Sequence, residues 1–174
     1  MKKTFLFLVV VGLLLVGSHK PAQAYVNSLS TDVITLLNNK ILNVRYETML
    51  TRTNSIVFDL AIDNKWKDVT GFQLAGMYRW YIRDAFPVKT SGLEGFNLGA
   101  QVVLGGYIWD HYVSPTLTEK QTDLFLQVGG EAAYKWVFDG FQVEPRINLG
   151  IPLVKESYYS NFYWTVGVNL GYAW

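Results

Sequence analysis

The side chains best suited to nucleophilic or acid–base chemistry lie close together in the second half of the chain. His111 follows Asp110 directly, Ser114 comes three residues later, and Glu119 and Asp123 lie just beyond. A histidine, a serine and an acid can act as base, nucleophile and orienting group when they lie within hydrogen-bond reach of one another. Nothing in this spacing specifies that geometry. We therefore expect a solvated loop here and keep a lipid-hydrolysing enzyme as the alternative.

The composition gives little support for a metal or cofactor site. The chain has no Cys and only two His, and His19 lies in an N-terminal segment that we expect to be removed. A transition-metal site is therefore not predicted. Asp110, Glu119 and Asp123 could bind Ca²⁺ weakly, but they lack the regular spacing of a dedicated loop. We predict no metal, no cofactor and no catalytic residue.

Most other polar residues lie in segments where apolar and polar side chains alternate. A period of two indicates strands. Asp139-Gly140 predicts a two-residue hairpin, because a type I′ turn needs positive φ at both positions. The first segment alternates poorly around Asp32, and Pro145 and Pro152 suggest a bulge in the seventh. The eight predicted strands are 28–37, 41–50, 55–64, 70–82, 96–110, 122–138, 141–154 and 162–174.

These strands predict an all-β fold, an eight-stranded antiparallel up-and-down transmembrane β-barrel. Alternation alone does not say which face points outward, but volume does. The interior of an eight-stranded barrel is just wide enough for side chains to fill. The many Trp, Phe, Tyr and Leu residues of the apolar faces would overfill it. We therefore expect small and polar residues inside and bulky apolar residues against lipid. A closed barrel also satisfies its backbone hydrogen bonds without water.

The polar faces then bring charged residues into the lumen, where isolated charges are severely penalised and must pair. We expect a plug of salt bridges and hydrogen bonds that makes the barrel rigid. An ion pathway or a catalytic carboxylate pair is the alternative, although eight strands leave no porin-type channel. The predicted network contains Asp32, Arg45, Glu47, Asp59, Arg79, Glu131, Lys135, Glu144 and Arg146.

The N-terminus has the pattern of a secretory signal peptide. Lys2 and Lys3 precede an uncharged apolar run over 5–17, and Ala22-Gln23-Ala24 is a small-x-small cleavage site. We predict a signal peptide over 1–24 and one barrel domain over 25–174. The run is shorter than the ~20 residues of a transmembrane helix. Removing the three lysines of residues 1–24 leaves the barrel slightly acidic, which argues against a nucleic-acid partner.

The C-terminus ends inside its predicted strand on an aromatic residue. Leu170, Tyr172 and Trp174 lie on the apolar face of that strand. This ending resembles the C-terminal signal that the assembly machinery of bacterial outer-membrane barrels reads.

Three short motifs carry a broader resemblance: Asn43-Val44-Arg45-Tyr46-Glu47, Tyr78-Arg79-Trp80-Tyr81 and Gly95-Phe96-Asn97-Leu98-Gly99. With them, the chain resembles small OmpA/OmpX-type eight-stranded barrels. More specifically, over nearly all of 26–174 it is similar to a family of bacterial outer-membrane β-barrel domains of unknown function. The resemblance implies a fold and a location in the Gram-negative cell envelope, but no catalytic residues. The segment after Asp110 does not match the His-x-Ser-Asn pattern of deacylase barrels.

We therefore expect a monomeric protein of the cell outer membrane with a structural or surface-interaction role and no open porin channel. Its expected partners are outer-membrane lipids and the barrel assembly machinery. The alternatives are a lipid A-modifying enzyme, a narrow solute channel and a secreted lipocalin-like carrier. Loops near 38–40, 65–69, 111–121 and 155–161 are expected to face outward. The connections at 83–95 and at Asp139-Gly140 are expected to face the periplasm.

Overall fold

The computed structural model describes residues 25–66, 69–83, 92–114, 117–154 and 161–174. The predicted signal peptide over 1–24 lies outside the described residues, as do parts of the loops predicted at 65–69, 83–95, 111–121 and 155–161.

Eight antiparallel strands close into one barrel, in which each strand pairs with its neighbours in sequence and β1 pairs with β8. The closing pair runs from Ser28 opposite Ala173 to Asp32 opposite Asn169. This confirms the predicted eight-stranded up-and-down barrel. The elements are β1 (Asn27–Asp32), α1 (Val33–Asn39), β2 (Ile41–Met49), β3 (Asn54–Trp66), β4 (Val69–Tyr81), β5 (Gly95–Ser114), β6 (Leu117–Phe138), β7 (Phe141–Val154) and β8 (Tyr163–Ala173).

The two ends of the barrel differ. We call the end that holds both chain termini the terminal end, where the backbone N–H groups of Val26 and Asn27 both donate to the carbonyl of Trp174 at 3.0 Å. The β2–β3, β4–β5 and β6–β7 connections lie at this end. At the β6–β7 turn, Asp139 and Gly140 have φ of 50° and 90°, as the hairpin prediction requires. The opposite, far end carries α1 and the β3–β4, β5–β6 and β7–β8 connections.

The first predicted strand, 28–37, is wrong in its second half, which is the helix α1. Asp32 ends β1, and its Oδ1 accepts hydrogen bonds from the backbone N–H groups of Ile34 and Thr35 at 2.9 and 3.1 Å. A side-chain cap of this kind starts a helix. Lys40, in the left-handed conformation with φ of 57°, ends it. Within the described part of the chain, no helix combines the length and apolar character needed to cross a bilayer.

The loop predicted over 111–121 is also wrong, because β5 and β6 continue as a paired hairpin almost to its tip. Regular pairing extends to Tyr112 opposite Thr118, and after a register shift Ser114 pairs with Leu117. Backbone pairing does not require apolar side chains, so the polar residues of this stretch extend the sheet at the far end.

The irregularity predicted in the seventh strand is present at both prolines. Opposite Pro152, the register between β6 and β7 shifts between Leu126 and Gln127. Around Pro145, the β6–β7 pairing is interrupted between Arg146 and Val143. Proline lacks the N–H group that a strand ladder needs, which accounts for the interruption.

The barrel is apolar outside and polar inside, which confirms the predicted assignment of faces. Large apolar side chains are exposed on the outer face of every long strand, among them Leu74, Leu104 and Leu149. The buried set is dominated instead by charged and amide side chains. A water-soluble protein buries its apolar side chains, so this barrel has the reverse distribution.

Candidate functional site: the charged lumen

Alternation places every second side chain of a strand inside the barrel, so the lumen collects charges from distant parts of the sequence. The structure brings all nine residues of the predicted network together, on six of the eight strands. Ten ion pairs connect them without a break. The contributing residues are Asp32 of β1, Arg45 and Glu47 of β2, Asp59 of β3, Arg79 of β4, Glu131 and Lys135 of β6, and Glu144 and Arg146 of β7.

Arg79 lies at the centre of the network and contacts three carboxylates. Its Nη1 donates to Glu47 Oε2 at 2.8 Å, and its Nη2 donates to Glu144 Oε1 at 2.6 Å and also to Glu131. The Arg79 side chain has no exposed surface. The planar guanidinium suits this position, because its donors have a fixed fork geometry that matches several carboxylates at once.

Toward the terminal end, the network rests on Glu47 and Lys135. Lys135 Nζ donates to Glu47 and forms an ion pair with Glu144 Oε2 at 3.0 Å. The second oxygen of Glu47 accepts from the hydroxyls of Ser55 at 2.5 Å and Tyr81 at 2.8 Å. Ser55 and Tyr81 are buried and belong to the network, but the charge pattern of the sequence did not single them out. Their inward positions in alternating strands are the signal that could have identified them.

Toward the far end, the network is held by Arg45 and Arg146. Arg45 Nε donates to Asp59 Oδ2 at 2.9 Å and its Nη1 to Glu131 Oε2 at 3.0 Å. Arg146 Nη2 donates to Asp32 Oδ2 at 2.6 Å, and its Nη1 to Glu131 at 3.3 Å. Asp32 therefore caps α1 with one oxygen and holds Arg146 with the other, which couples the helix to the lumen.

The network encloses its central carboxylates. Its five carboxylates face four cations, so one negative charge is in excess. A general acid or base must reach the proton that it transfers. The side chains of Glu131 and Glu144 have no exposed surface, so no substrate contacts either carboxylate in this structure. The network spans the lumen and connects six strands.

Below this plug, several buried polar atoms have no partner within the described residues. Asn97 Oδ1, Asn169 Oδ1 and both side-chain heteroatoms of Gln142 are of this kind. Above it, at the far end, lies a cavity of about 230 Å³ whose floor includes Arg45, Asp59 and Arg146. The two ends of the lumen therefore differ, since the terminal half is filled with side chains and the far half is hollow.

The enzyme alternative rests on His111 and Ser114, which lie in the β5–β6 hairpin. The side chains over 110–119 lie outside the described residues, although the backbone places His111 opposite Glu119 in the β5–β6 hairpin. In the described ranges, no group of three or more His, Asp or Glu side chains is placed to hold a metal ion.

The predicted assembly signal lies at the terminal end of β8. Tyr172 pairs with Leu29, and Leu170 with Thr31. Trp174 is about half exposed on the outer face, while its backbone closes the barrel seam. The three side chains thus follow one edge of the outer surface.

Comparison with known proteins finds a similarity of fold. The N-terminal β-barrel domain of Pseudomonas aeruginosa OprF superposes on the chain with a TM-score of 0.48 and 11% sequence identity, covering 86% of this chain and 95% of that domain. No protein-family model matches the chain, and no curated protein matches it. What is established is therefore the architecture itself, a closed eight-stranded antiparallel barrel with a charged interior.

Proposed function

We propose that this protein is an outer-membrane β-barrel with a structural or surface-interaction role, whose lumen does not conduct as a porin does. One observation carries the proposal. The exterior of the closed barrel is apolar, whereas the interior holds a continuous ion-pair network. In water this distribution would be unfavourable, because burying apolar surface is the main driving force of folding. In a bilayer it is the favourable one.

The height of the apolar surface supports a membrane-spanning position. On β5 the apolar side chains that are exposed on the outer face extend from Leu98 through Val102 and Leu104 to Ile108. At ~3.3 Å per residue and a strand tilt of roughly 40°, these ten steps rise about 25 Å, which matches the apolar band of outer-membrane barrels.

Aromatic side chains edge this band at the terminal end. Tyr78 and Trp80 contact edge to face with ring centroids 4.8 Å apart, and Tyr134 and Trp136 lie 4.7 Å apart. Tyr and Trp are favoured at membrane interfaces because each has an apolar ring and a polar group. With the terminal end in the periplasm, the far end faces outward. The exposed aromatic residues near the terminal end include Tyr46, Tyr78, Trp80, Trp136, Phe138, Phe141 and Trp174.

The plug argues against the two transport alternatives. A carrier of the lipocalin type holds its ligand in the interior of a water-soluble barrel, but here the exterior is apolar and the central section is filled by ion pairs. A narrow channel needs a continuous polar path, but the charges of this lumen are bound to one another. The lipid-modifying alternative rests on His111 and Ser114. We expect their replacement to leave the lipid A profile unchanged.

The first experiment tests location and closure together. The full chain is expressed in a Gram-negative host, and its membranes are fractionated. We expect the protein in the outer-membrane fraction, starting at Tyr25 by N-terminal sequencing, with gel mobility that changes on heating. We also expect it to run as a monomer. Recovery in the aqueous fraction without detergent would contradict the proposal, because an apolar exterior could not remain dissolved.

A second experiment tests the closed lumen. The purified barrel is inserted into planar bilayers, and its conductance is compared with that of the Arg79→Met variant, which removes the central cation. We expect no porin-like conductance from the native chain. Stable open-channel steps from the native barrel would overturn the closed-lumen proposal and leave the location untouched.

A further inference from the structure

The far half of the lumen is a hollow cup. Its volume is about 230 Å³, and its wall is formed by α1 and by every strand except β1. Thr165 occupies an inward position of β8 and is nevertheless exposed, so the cup opens to solvent at the far end. A single buried water needs only ~10–15 Å³. The volume of the cup is smaller than the ~300 Å³ at which pockets for drug-sized ligands begin. It suits a molecule about the size of a monosaccharide.

The cup is closed at the bottom. Arg45, Asp59 and Arg146 form part of its floor, and the ion-pair plug lies directly beneath them. At the terminal end, Tyr81 and Leu93 are buried, and the Leu93 N–H donates to the carbonyl of Tyr25 at 2.8 Å. A molecule that enters from the far end therefore meets a floor and leaves by the same opening.

The wall offers neutral hydrogen-bonding groups that are not used by the residues the structure describes. The side-chain amides of Gln73 and Gln127 line the cup and have no partner among the described residues. Gln101 Nε2 donates to Tyr163 Oη at 3.1 Å, which leaves the Gln101 carbonyl oxygen and the Tyr163 hydroxyl hydrogen available. Together these groups provide both donors and acceptors on several sides of the cup.

The charges at the floor, by contrast, are already neutralised. Asp59 accepts from Arg45, and Arg146 donates to Asp32 and Glu131. An anionic ligand would face the excess negative charge of the network, and a cation would compete with the arginines for paired carboxylates. A neutral ligand with many hydroxyl groups encounters neither penalty, and its hydroxyls both donate and accept.

We propose that this cup is a binding site for a neutral polyhydroxylated molecule of monosaccharide size, held by the carboxamides of Gln73, Gln101 and Gln127 and by the hydroxyl of Tyr163. The site is independent of the structural role proposed above. It uses the hollow half of the lumen, whereas the structural role uses the plug.

Glucose is the probe, and the barrel is purified in a zwitterionic detergent without a sugar headgroup, so that the micelle does not compete. Binding is followed by NMR through the side-chain amide signals of the glutamines and by calorimetry. We expect saturable shifts of the Gln73 and Gln127 amide signals, with a dissociation constant of about 1 mM. The double substitution Gln73→Leu with Gln127→Leu should weaken binding about tenfold or more, because each lost hydrogen bond accounts for a factor of several.

Gln142→Leu is the matched control. It makes the same replacement inside the lumen but below the plug, where the amide has no partner, so affinity should remain within about twofold. Ala75→Leu fills the cup from its wall and should abolish binding without removing a polar group, which keeps the test decisive if the glutamine double variant does not fold. The proposal is overturned if glucose gives no saturable shift, if acetate or tetramethylammonium binds equally well, or if the folded cup variants bind like the native chain.

Discussion

Arg79→Met measures how strongly the plug stabilises the barrel. The substitution keeps a long side chain in the lumen and removes the cation that contacts Glu47, Glu131 and Glu144. The negative charge in excess then rises from one to two. Because methionine fills much of the vacated volume, the effect reports lost electrostatic interactions more than a cavity.

The expected loss of stability depends on the ion pairs that remain after the substitution. Removing one partner of a buried ion pair costs about 3–5 kcal/mol. After the substitution, Lys135 still contacts Glu47 and Glu144, and both Arg45 and Arg146 still contact Glu131. Each carboxylate therefore keeps at least one cation, so we expect the lower part of the range, about 3 kcal/mol.

A second substitution separates charge from packing. Glu144→Gln removes one of the three carboxylates, and combined with Arg79→Met it restores the original excess of one negative charge. The double variant should be more stable than the sum of the single effects predicts, by about 1–3 kcal/mol, which is the range for directly contacting groups. Arg52→Met, at an exposed position of the β2–β3 turn, is the matched control and should leave stability unchanged.

The free energy of unfolding is measured by urea titration of barrels refolded into lipid vesicles, with tryptophan fluorescence as the signal and heat-modifiable mobility as the check on folding. A loss below about 1 kcal/mol for Arg79→Met would refute the argument. Additive effects in the cycle would also refute it, because they would show that Arg79 and Glu144 do not stabilise each other.

Three further predictions address the exterior, a turn and the C-terminus. Leu104→Arg, at mid-height on the outer face of β5, should destabilise the barrel in lipid by about 2–4 kcal/mol, whereas Val154→Arg at a strand end should destabilise it by about 1 kcal/mol or less. Equal losses of stability in urea titrations would argue against a bilayer at this height. Gly140→Val should destabilise the barrel by at least about 2 kcal/mol, because φ is 90° at this position of the β6–β7 turn and a Cβ would overlap a tyrosine ring of β8. Native stability in the same urea titration would show that the turn adapts. Trp174→Ser should lower the folded fraction in outer membranes several-fold. Trp136→Ser replaces a similarly exposed tryptophan away from the C-terminus and should not lower it. Equal yields on quantitative blots would contradict an assembly role for the C-terminal residue.

The sequence was sufficient to predict the barrel and its faces because alternation is a local signal. Within each strand, the alternation shows which side chains share a face. The volume of an eight-stranded lumen then decides which of the two faces points inward. Arg45 and Glu47 illustrate this, since both lie inside, separated by the outward-facing Tyr46. The pairing partners were not predictable in the same way. Asp32 and Arg146 are 114 residues apart, and their contact depends on the stagger of the closed barrel.

The two errors in the fold have local physical causes. Val33, Ile34 and Thr35 favour strands by composition, but the carboxylate of Asp32 satisfies two N–H groups and starts α1 instead. In the β5–β6 hairpin, the polar residues predict a loop because a membrane-spanning strand needs an apolar face. Beyond the apolar band that requirement ends, and backbone pairing alone continues the strands to Ser114 and Leu117.

The polar lumen has a physical reason beyond the stability of its ion pairs. Buried ion pairs can often be replaced by apolar side chains without loss of stability, so stability alone does not require this interior. An apolar lumen would, however, make both faces of every strand apolar. In β6 the outward-facing apolar side chains run from Leu124 to Phe138, so this stretch would become one continuous apolar segment. Such a segment is prone to aggregate before the barrel closes. Polar or small residues at alternate positions interrupt every such run, and on six of the strands they include the charged side chains that pair in the closed barrel. We therefore expect the inward pattern to limit aggregation of the unfolded strands as well as to form the network of the folded barrel.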